Sequence, residues 1–368
     1  MNPFYRTLLA AGLIANLAAC ATMAVGSAPA NARKHSLARV GELSRPRSGH
    51  TATLLANGAV LIAGGMQRNG VYYESAELYL PSEGGFRPTA AMSSRRVGHT
   101  ATLLPGGKVL IAGGFDGSGP LASAELYDPS TNAWAPTGSM TNGRAEFTAT
   151  LLQNGRVLVV GGQAHKALAG AELYDPVSGQ FSPTGSMAAA RNQHSATLLG
   201  DGRVLIAGGG DYQAPLSSAE VYDPARGTFS ATGSLSGPRY KHAAVALGDG
   251  EVVVLGGSDG RDSRGCYASA EVYDAGAGRF SPAGAMVLSR YKLPAAAVML
   301  KDGRILIAGG ADRIEVYDPA AEKFTLSGLQ LGEGRFFSTA TMLADGRVLI
   351  AGGYGDHFAA TATAWLYS

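Results

Sequence analysis

Residues 99–114 read HTATLLPGGKVLIAGG, and residues 338–353 read STATMLADGRVLIAGG. The glycine pair that closes this segment occurs seven times, at Gly64-Gly65, Gly113-Gly114, Gly161-Gly162, Gly208-Gly209, Gly256-Gly257, Gly309-Gly310 and Gly352-Gly353. Successive pairs are 49, 48, 47, 48, 53 and 43 residues apart. A period near 48 residues restricts the fold before any local propensity is weighed. Every unit must build the same supersecondary structure and bury its apolar faces against its neighbours.

Each unit has the same internal order. Unit four runs HSATLL, a Gly-Asp-Gly turn, RVLIAGG, a variable loop, SAEVYDP, ARG and TFSATGSL. The first two runs are short and rich in Val, Ile, Leu and Thr, which is strand composition. Between them stand Asn57-Gly58, Gly106-Gly107, Asn154-Gly155, Asp201-Gly202, Asp249-Gly250, Asp302-Gly303 and Asp345-Gly346. Such pairs supply the positive φ angles of a two-residue hairpin turn. The third run carries Glu-Leu-Tyr-Asp or Glu-Val-Tyr-Asp and typically stops at proline, which cannot donate to a ladder. The fourth carries an aromatic residue such as Phe181 or Trp134. Each unit therefore predicts a four-stranded antiparallel sheet.

One such sheet cannot bury both faces alone, whereas seven arranged radially can. Glycine supplies 52 of 368 residues, about twice the usual share of roughly 7%. Charged residues are only 16%, as expected where most strands are covered on both faces. Paired glycines after an apolar strand, a tyrosine further on and then an aromatic, at this period, resemble the Kelch family of β-propellers over residues 37–368. The resemblance implies an all-β, seven-bladed Kelch-type β-propeller of four-stranded antiparallel blades. The blades fall at about 48–93, 97–141, 145–188, 192–236, 240–287, 291–332 and 336–368.

The last unit ends at TATAWLYS, its third strand. The stretch ARVGELSRPRSGH aligns with SPTGSMAAARNQH of residues 182–194, matching Gly41 to Gly185, Leu43 to Met187 and Arg47 to Arg191. Residues 37–43 are thus expected to supply the missing outer strand of blade seven, closing the ring three strands plus one and removing a free edge. From the length, no fused partner domain is expected outside this ring.

Residues 1–32 read as a secretory signal, with an apolar stretch after Arg6. Two processing sites compete: a lipobox-like Leu17-Ala18-Ala19-Cys20, whose cysteine would carry lipid, and Ala30-Asn31-Ala32. An uncleaved anchor is a third reading. All of them place residues 33–368 outside the cytoplasm, in the periplasm, secreted or lipid-anchored to the envelope. Cys266 is then the one cysteine of the propeller, so packing and ring closure must stabilise it without an internal disulfide. A net charge of +2 and the lack of any aromatic-basic pattern give no case for nucleic acid. Membrane contact is expected only through lipid at Cys20, and a monomer is expected.

Strands alternate in direction, so the loops entering strand one and leaving strand two share one face, the mouth face. The Asn-Gly and Asp-Gly hairpins lie opposite and look structural. On the mouth face Arg47, Arg96, Arg144, Arg191, Arg239, Arg290 and Arg335 recur, one per unit. An anion-binding collar is one reading. Local pairing with Glu77, Glu125, Glu172, Glu220, Glu271 and Glu315 is the stronger one, leaving one arginine unmatched because Trp365 stands in the seventh glutamate position. His50, His99, His194 and His242 occupy a slot that elsewhere holds Phe147, Leu293 or Ser338, so it reads as packing rather than metal. Asp116, Asp211, Asp259 and Asp312 read as turn acceptors.

Specificity is expected where the repeat is irregular. The pairs after the arginines are Ser48-Gly49, Val97-Gly98, Ala145-Glu146, Asn192-Gln193, Tyr240-Lys241, Tyr291-Lys292 and Phe336-Phe337. With loop residues Tyr72 and Tyr212 they give a candidate binding set of Tyr72, Glu146, Gln193, Tyr212, Tyr240, Lys241, Tyr291, Lys292, Phe336 and Phe337. Fold alone does not choose a function. The leading reading is a non-enzymatic extracytoplasmic module binding a protein, peptide or glycan, with no cofactor and no metal. A second is a sugar-acting enzyme, since some periplasmic Kelch proteins that this chain resembles act as sialic-acid epimerases or mutarotases. It would use Glu146 and His165 as acid and base, with Arg144 or Lys241 for a carboxylate. A third is the galactose-oxidase branch, which needs copper, two Tyr, two His and a Tyr–Cys crosslink. Cys266 adjoins Tyr267, but adjacent residues are not that crosslink.

Overall fold

The computed structural model describes residues 35–368 apart from Asn69, Tyr212, Asp249 and Asp356. Seven four-stranded antiparallel sheets follow one another around a closed ring. Blade one comprises strands Thr51–Leu54, Val60–Ala63, Ala76–Leu80 and Gly85–Pro88. The other blades repeat that order from the centre outward.

The second strand of each blade explains the continuous apolar runs. Val60–Ala63, Val109–Ala112, Val157–Val160, Val204–Ala207, Val252–Leu255, Ile305–Ile307 and Val348–Ala351 are buried at every residue. Alternate side chains of a strand point to opposite faces, so each strand serves two neighbours. Val60 and Ile62 join Leu343, Leu349 and Leu366 of blade seven, while Leu61 and Ala63 join Val109, Ile111 and Tyr127 of blade two. Seven such clusters fill the seven junctions.

Blade seven closes as the sequence predicts. Leu37–Glu42 pairs antiparallel with Thr363–Tyr367, with Leu37 opposite Tyr367 and Arg39 opposite Trp365. The clasp extends to Ser36 and Ser368, whose backbones exchange N–H···O bonds of 3.0 and 3.1 Å. Residues 1–34, including Cys20 and both processing sites, lie outside the described residues.

The glycine pair is required by the junction. Gly64 has φ +64°, and a Cβ there would lie 2.6 Å from the Arg96 carbonyl oxygen and 2.7 Å from His99 Cε1. The ring in the slot of one blade packs on the first glycine of the preceding blade: His50 on Gly352, Phe147 on Gly113, His194 on Gly161 and His242 on Gly208. Blades five and six depart from the repeat. The loop of blade five forms a 3-10 turn over Asp262–Gly265. Blade six lacks the loop after its glycines, its third strand starting at Arg313.

Candidate functional site

The repeated polar residues are structural. Arg47 Nη1 donates to the Gly64 carbonyl at 2.8 Å and Nη2 lies 2.9 Å from Glu77 Oε1. The same buried ion pair forms at Arg96–Glu125, Arg144–Glu172, Arg191–Glu220, Arg239–Glu271 and Arg290–Glu315. Each glutamate also accepts a backbone N–H from the segment arriving from the preceding blade, as Glu220 does from Ala188 at 2.9 Å. The seventh arginine is not left over: Arg335 bonds Glu333 at 3.1 Å and the Leu331 carbonyl at 3.0 Å.

Each slot histidine hydrogen-bonds through Nε2 to the inner strand of the preceding blade. His50 meets Thr339 at 3.1 Å, His99 meets Thr51 at 3.1 Å, His194 meets Thr148 at 3.0 Å and His242 meets Ser195 at 2.9 Å. Burial, reinforced by the neighbouring arginine, lowers His50, His99 and His242 to about 3 and holds His194 well below its ordinary value. They are neutral packing groups. Phe147 fills the slot in blade three, and the Thr100 hydroxyl is correspondingly left without a partner. Asp116 and Asp211 accept backbone N–H bonds within their own turns at 2.7–2.9 Å, and Asp259 does so at 3.2 Å. Asp312 has no such loop to close, because it directly precedes a strand.

The residue just before the slot behaves differently. Gly49, Gly98, Glu146, Gln193, Lys241, Lys292 and Phe337 all adopt left-handed φ, between 51° and 63°. They ring the axis, one per blade, and backbone bonds link many of them: Glu146 N–H to Gly98 O at 2.8 Å, Gln193 to Glu146 at 3.0 Å, Lys241 to Gln193 at 3.1 Å, Phe337 to Lys292 at 2.8 Å and Gly49 to Phe337 at 3.1 Å. Only glycine takes this conformation without cost. Five blades nonetheless place a side chain there.

Four of these five side chains, all but that of Lys292, line a cavity of about 270 Å³ at the centre of the mouth face. Glu146, Gln193 and Lys241 line one side; Tyr72, Val97, Phe115, Met66 and Phe337 line the other. The two bare glycines, Gly49 and Gly98, lie on the apolar side and leave the space open there. Glu146 is half-buried and lines the cavity. Burial pushes its carboxyl up, against the opposing pull of Gln193 and Lys241. A larger groove of about 660 Å³ lies at the junction of blades five and six on the opposite face. It is built from hairpin-turn residues such as Asp302, Gly303 and Pro319.

Of the candidate binding set, Tyr72, Glu146, Gln193, Lys241 and Phe337 line this cavity. Tyr240, Tyr291, Lys292 and Phe336 form an adjoining aromatic and cationic corner. There Tyr291 and Phe336 rings lie 5.3 Å apart, Phe336 and Tyr354 5.4 Å apart, and Lys292 Nζ stands 4.7 Å from the Tyr291 ring centre. Tyr212 lies outside the described residues. The enzyme set is not brought together. Arg144 is buried against Glu172 at 2.7 Å and is unavailable to a ligand. His165 is exposed on the loop after Gly162, outside the cavity that Glu146 lines.

Three participants were not singled out from the sequence. Pro294 and Ala295 reach the cavity because the inner strand of blade six starts late, at Ala297. The signal was present: Arg290 precedes its turn glycine Gly303 by 13 residues, against 11 in the other blades. Asp262 lies against Lys241 at 3.0 Å, and its signal was the 53-residue step after Gly256.

Sequence profiles agree with this architecture. The KLHDC2/KLHL20/DRC7 Kelch-repeats domain matches residues 27–209, and the Kelch motif matches residues 191–236. Comparison with curated proteins gives no match. Among solved structures, a fungal alcohol oxidase of the AA5 family, in complex with copper, superposes with a TM-score of 0.74 at 17% identity. The alignment covers 90% of this chain and 75% of that one, and at this identity the likeness concerns the fold alone. Among the described residues there is no group of three or more His, Cys, Asp or Glu able to hold a metal ion. Cys266 Sγ donates to the Asp262 carbonyl at 3.4 Å, and the slot histidines are tied to Thr and Ser.

Proposed function

The chain belongs to the Kelch-repeat β-propeller family, and from that premise we propose that it is a non-enzymatic binding module whose ligand docks at the central mouth. A Kelch propeller fold supports an interaction scaffold. The observation that carries the finer reading is the ring of five non-glycine residues, Glu146, Gln193, Lys241, Lys292 and Phe337, held left-handed. Strained positions persist where the side chain has work to perform, and blades one and two illustrate the unstrained alternative. The cavity pairs a hydrogen-bonding wall with an apolar aromatic wall. Such a site suits a sugar ring or a peptide segment, each with one polar and one apolar side.

The test is a thermal-shift screen of neutral, amino and acidic sugars and short peptides on the purified protein and on a Gln193→Gly/Phe337→Gly variant. A ligand at about 100 times its Kd stabilises by roughly 2.7 kcal/mol. A ligand that shifts the parent and not the variant supports docking at the mouth. Equal shifts of both would reject it.

The sugar-enzyme reading survives on one observation, the burial-raised carboxyl of Glu146 facing the cavity, which favours a proton donor. Its expected base, His165, stands outside the cavity, so the parent and Glu146→Gln are both expected to interconvert sugars no faster than the uncatalysed rate. We further propose export: residues 1–32 carry the protein out of the cytoplasm, with Cys20 as the lipid-bearing residue. Mass spectrometry of the mature N-terminus decides this, because a chain starting at Arg33 denies the lipid.

A further inference from the structure

The corner beside the cavity holds more positive charge than negative. Lys241 and Lys292 stand in adjacent positions of the left-handed ring and are 6% and 2% exposed. Lys241 Nζ donates to Asp262 Oδ1 at 3.0 Å and to the Tyr240 hydroxyl at 3.3 Å, and that hydroxyl donates to the same oxygen at 2.8 Å. Lys292 Nζ has no hydrogen-bond partner among the described residues. It lies 4.7 Å from the ring centre of Tyr291 and 5.5 Å from that of Tyr354. Burial, and then repulsion from Lys241, lowers its amine to about 8. Glu146 lines the neighbouring cavity but, among the described residues, forms no ion pair with either lysine. Two buried ammonium groups therefore share one full carboxylate, whereas buried charges are ordinarily matched.

That carboxylate arrives on an inserted strap. The step from Gly256 to Gly309 is the longest in the chain, at 53 residues, and the only helical turn among the described residues, Asp262–Gly265, lies within it. Asp262 itself is left-handed, with φ +50°. Its carbonyl is pinned by the Ser258 hydroxyl at 2.8 Å. A strained residue on an insertion thus delivers an anion to cations that belong to the regular ring.

We propose that Lys241 and Lys292 form the seat for the carboxylate of a ligand entering the mouth, and that Asp262 is a built-in stand-in for that carboxylate. The inference deepens the binding reading above and rests on it. The cavity reaches Lys241 directly, and its apolar wall at Tyr72 and Phe337 would take the body of the ligand. The ligand class is accordingly a monocarboxylate on a ring or aromatic body. An acidic sugar and the carboxyl end of a peptide both offer it.

Calorimetric titration compares galacturonate with galactose, and N-acetylphenylalanine with its amide, on the parent, Asp262→Asn and Lys241→Met. Asparagine removes the competing charge while tolerating left-handed φ. At least one acid should bind the parent or Asp262→Asn tenfold or more tightly than its neutral twin, and which acid does so identifies the source. Asp262→Asn should tighten that acid about tenfold, and Lys241→Met should erase the preference. The seat is overturned if neither acid outbinds its twin on either protein, including no binding at all. Neutral twins that bind as well as the acids would sink the seat while leaving the mouth as a binding site. An acid weakened by Asp262→Asn would overturn the stand-in role.

Discussion

Gln193 donates its backbone N–H to the carbonyl of Glu146 at 3.0 Å, and both residues are left-handed, at φ 51° and 55°. One belongs to blade four and the other to blade three, so the bond is a rung between blades at the axis. The rung needs only backbone. The amide and carboxyl side chains that stand on it are additions to the frame, and the frame bears their strain.

Replacing such a residue by glycine is therefore expected to leave stability intact or raise it while costing binding. Gln193→Gly and Phe337→Gly should each change stability between zero and about +1.6 kcal/mol, since relief of left-handed strain of roughly 1–2 kcal/mol is partly offset by added chain entropy of about 0.4–1 kcal/mol. Chemical denaturation measures this. A loss above about 1 kcal/mol would mean that these side chains hold the ring together.

The arginine–glutamate pairs are expected to behave oppositely. Arg191 is fully buried, and Glu220 also accepts the Ala188 N–H. Arg191→Met strands that carboxylate and should destabilise by about 3–5 kcal/mol. Urea denaturation of the variant reads the cost, and a loss below about 1 kcal/mol would show the pair to be dispensable.

Acid should loosen the ring through the slot histidines. Their folded pKa values lie near 3 for His50, His99 and His242, below the ordinary 6.5. The unfolded chain then binds more protons between those limits. The histidine contribution is fully present above pH ~6.5 and is lost as pH falls toward 3, at up to about 1.4 kcal/mol per pH unit for each histidine. His99→Phe copies the residue that blade three already carries, Phe147. Equilibrium unfolding at pH 7 and pH 5 should show a smaller acid loss in this variant than in the parent. An unchanged pH dependence would remove His99 from the account.

Ring closure can be locked. The Ser36 and Ser368 hydroxyl oxygens lie 2.7 Å apart across the clasp. A Ser36→Cys/Ser368→Cys chain is expected to form a disulfide worth about 2–4 kcal/mol, seen as a Tm increase that a reductant abolishes. A Tm that fails to rise although the disulfide forms would mean that the clasp does not limit unfolding.

The sequence carried the frame because the frame is written seven times. Strand lengths, hairpin turns, the glycine pair and the Arg–Glu partners recur at fixed spacing, and each can be checked against six copies. The seven-blade count and the use of residues 37–43 as the closing strand follow from the same redundancy, and the pairing of Leu37 with Tyr367 realises them. The left-handed ring was partly legible. Gly49 and Gly98 mark two positions as glycine-like, but Glu146 or Phe337 in that place gives no sign of its φ. Asp262 and Pro294 were missed because each sits in a departure from the period, where alignment with the other units has nothing to say.

What the sequence by itself determined is thus everything that depends on contacts within a blade or between like positions of adjacent blades. Such contacts are local or repeated, so periodicity encodes them. The tertiary structure decided the chemistry of the mouth. Ring closure brings residues as distant in the chain as Tyr72 and Phe337 to one cavity, and an insertion in a single loop sets Asp262 against Lys241. It also showed Arg144 to be committed to Glu172 and His165 to stand apart from Glu146. Those relations depend on side-chain direction at one end of a closed ring, which no repeat spacing specifies.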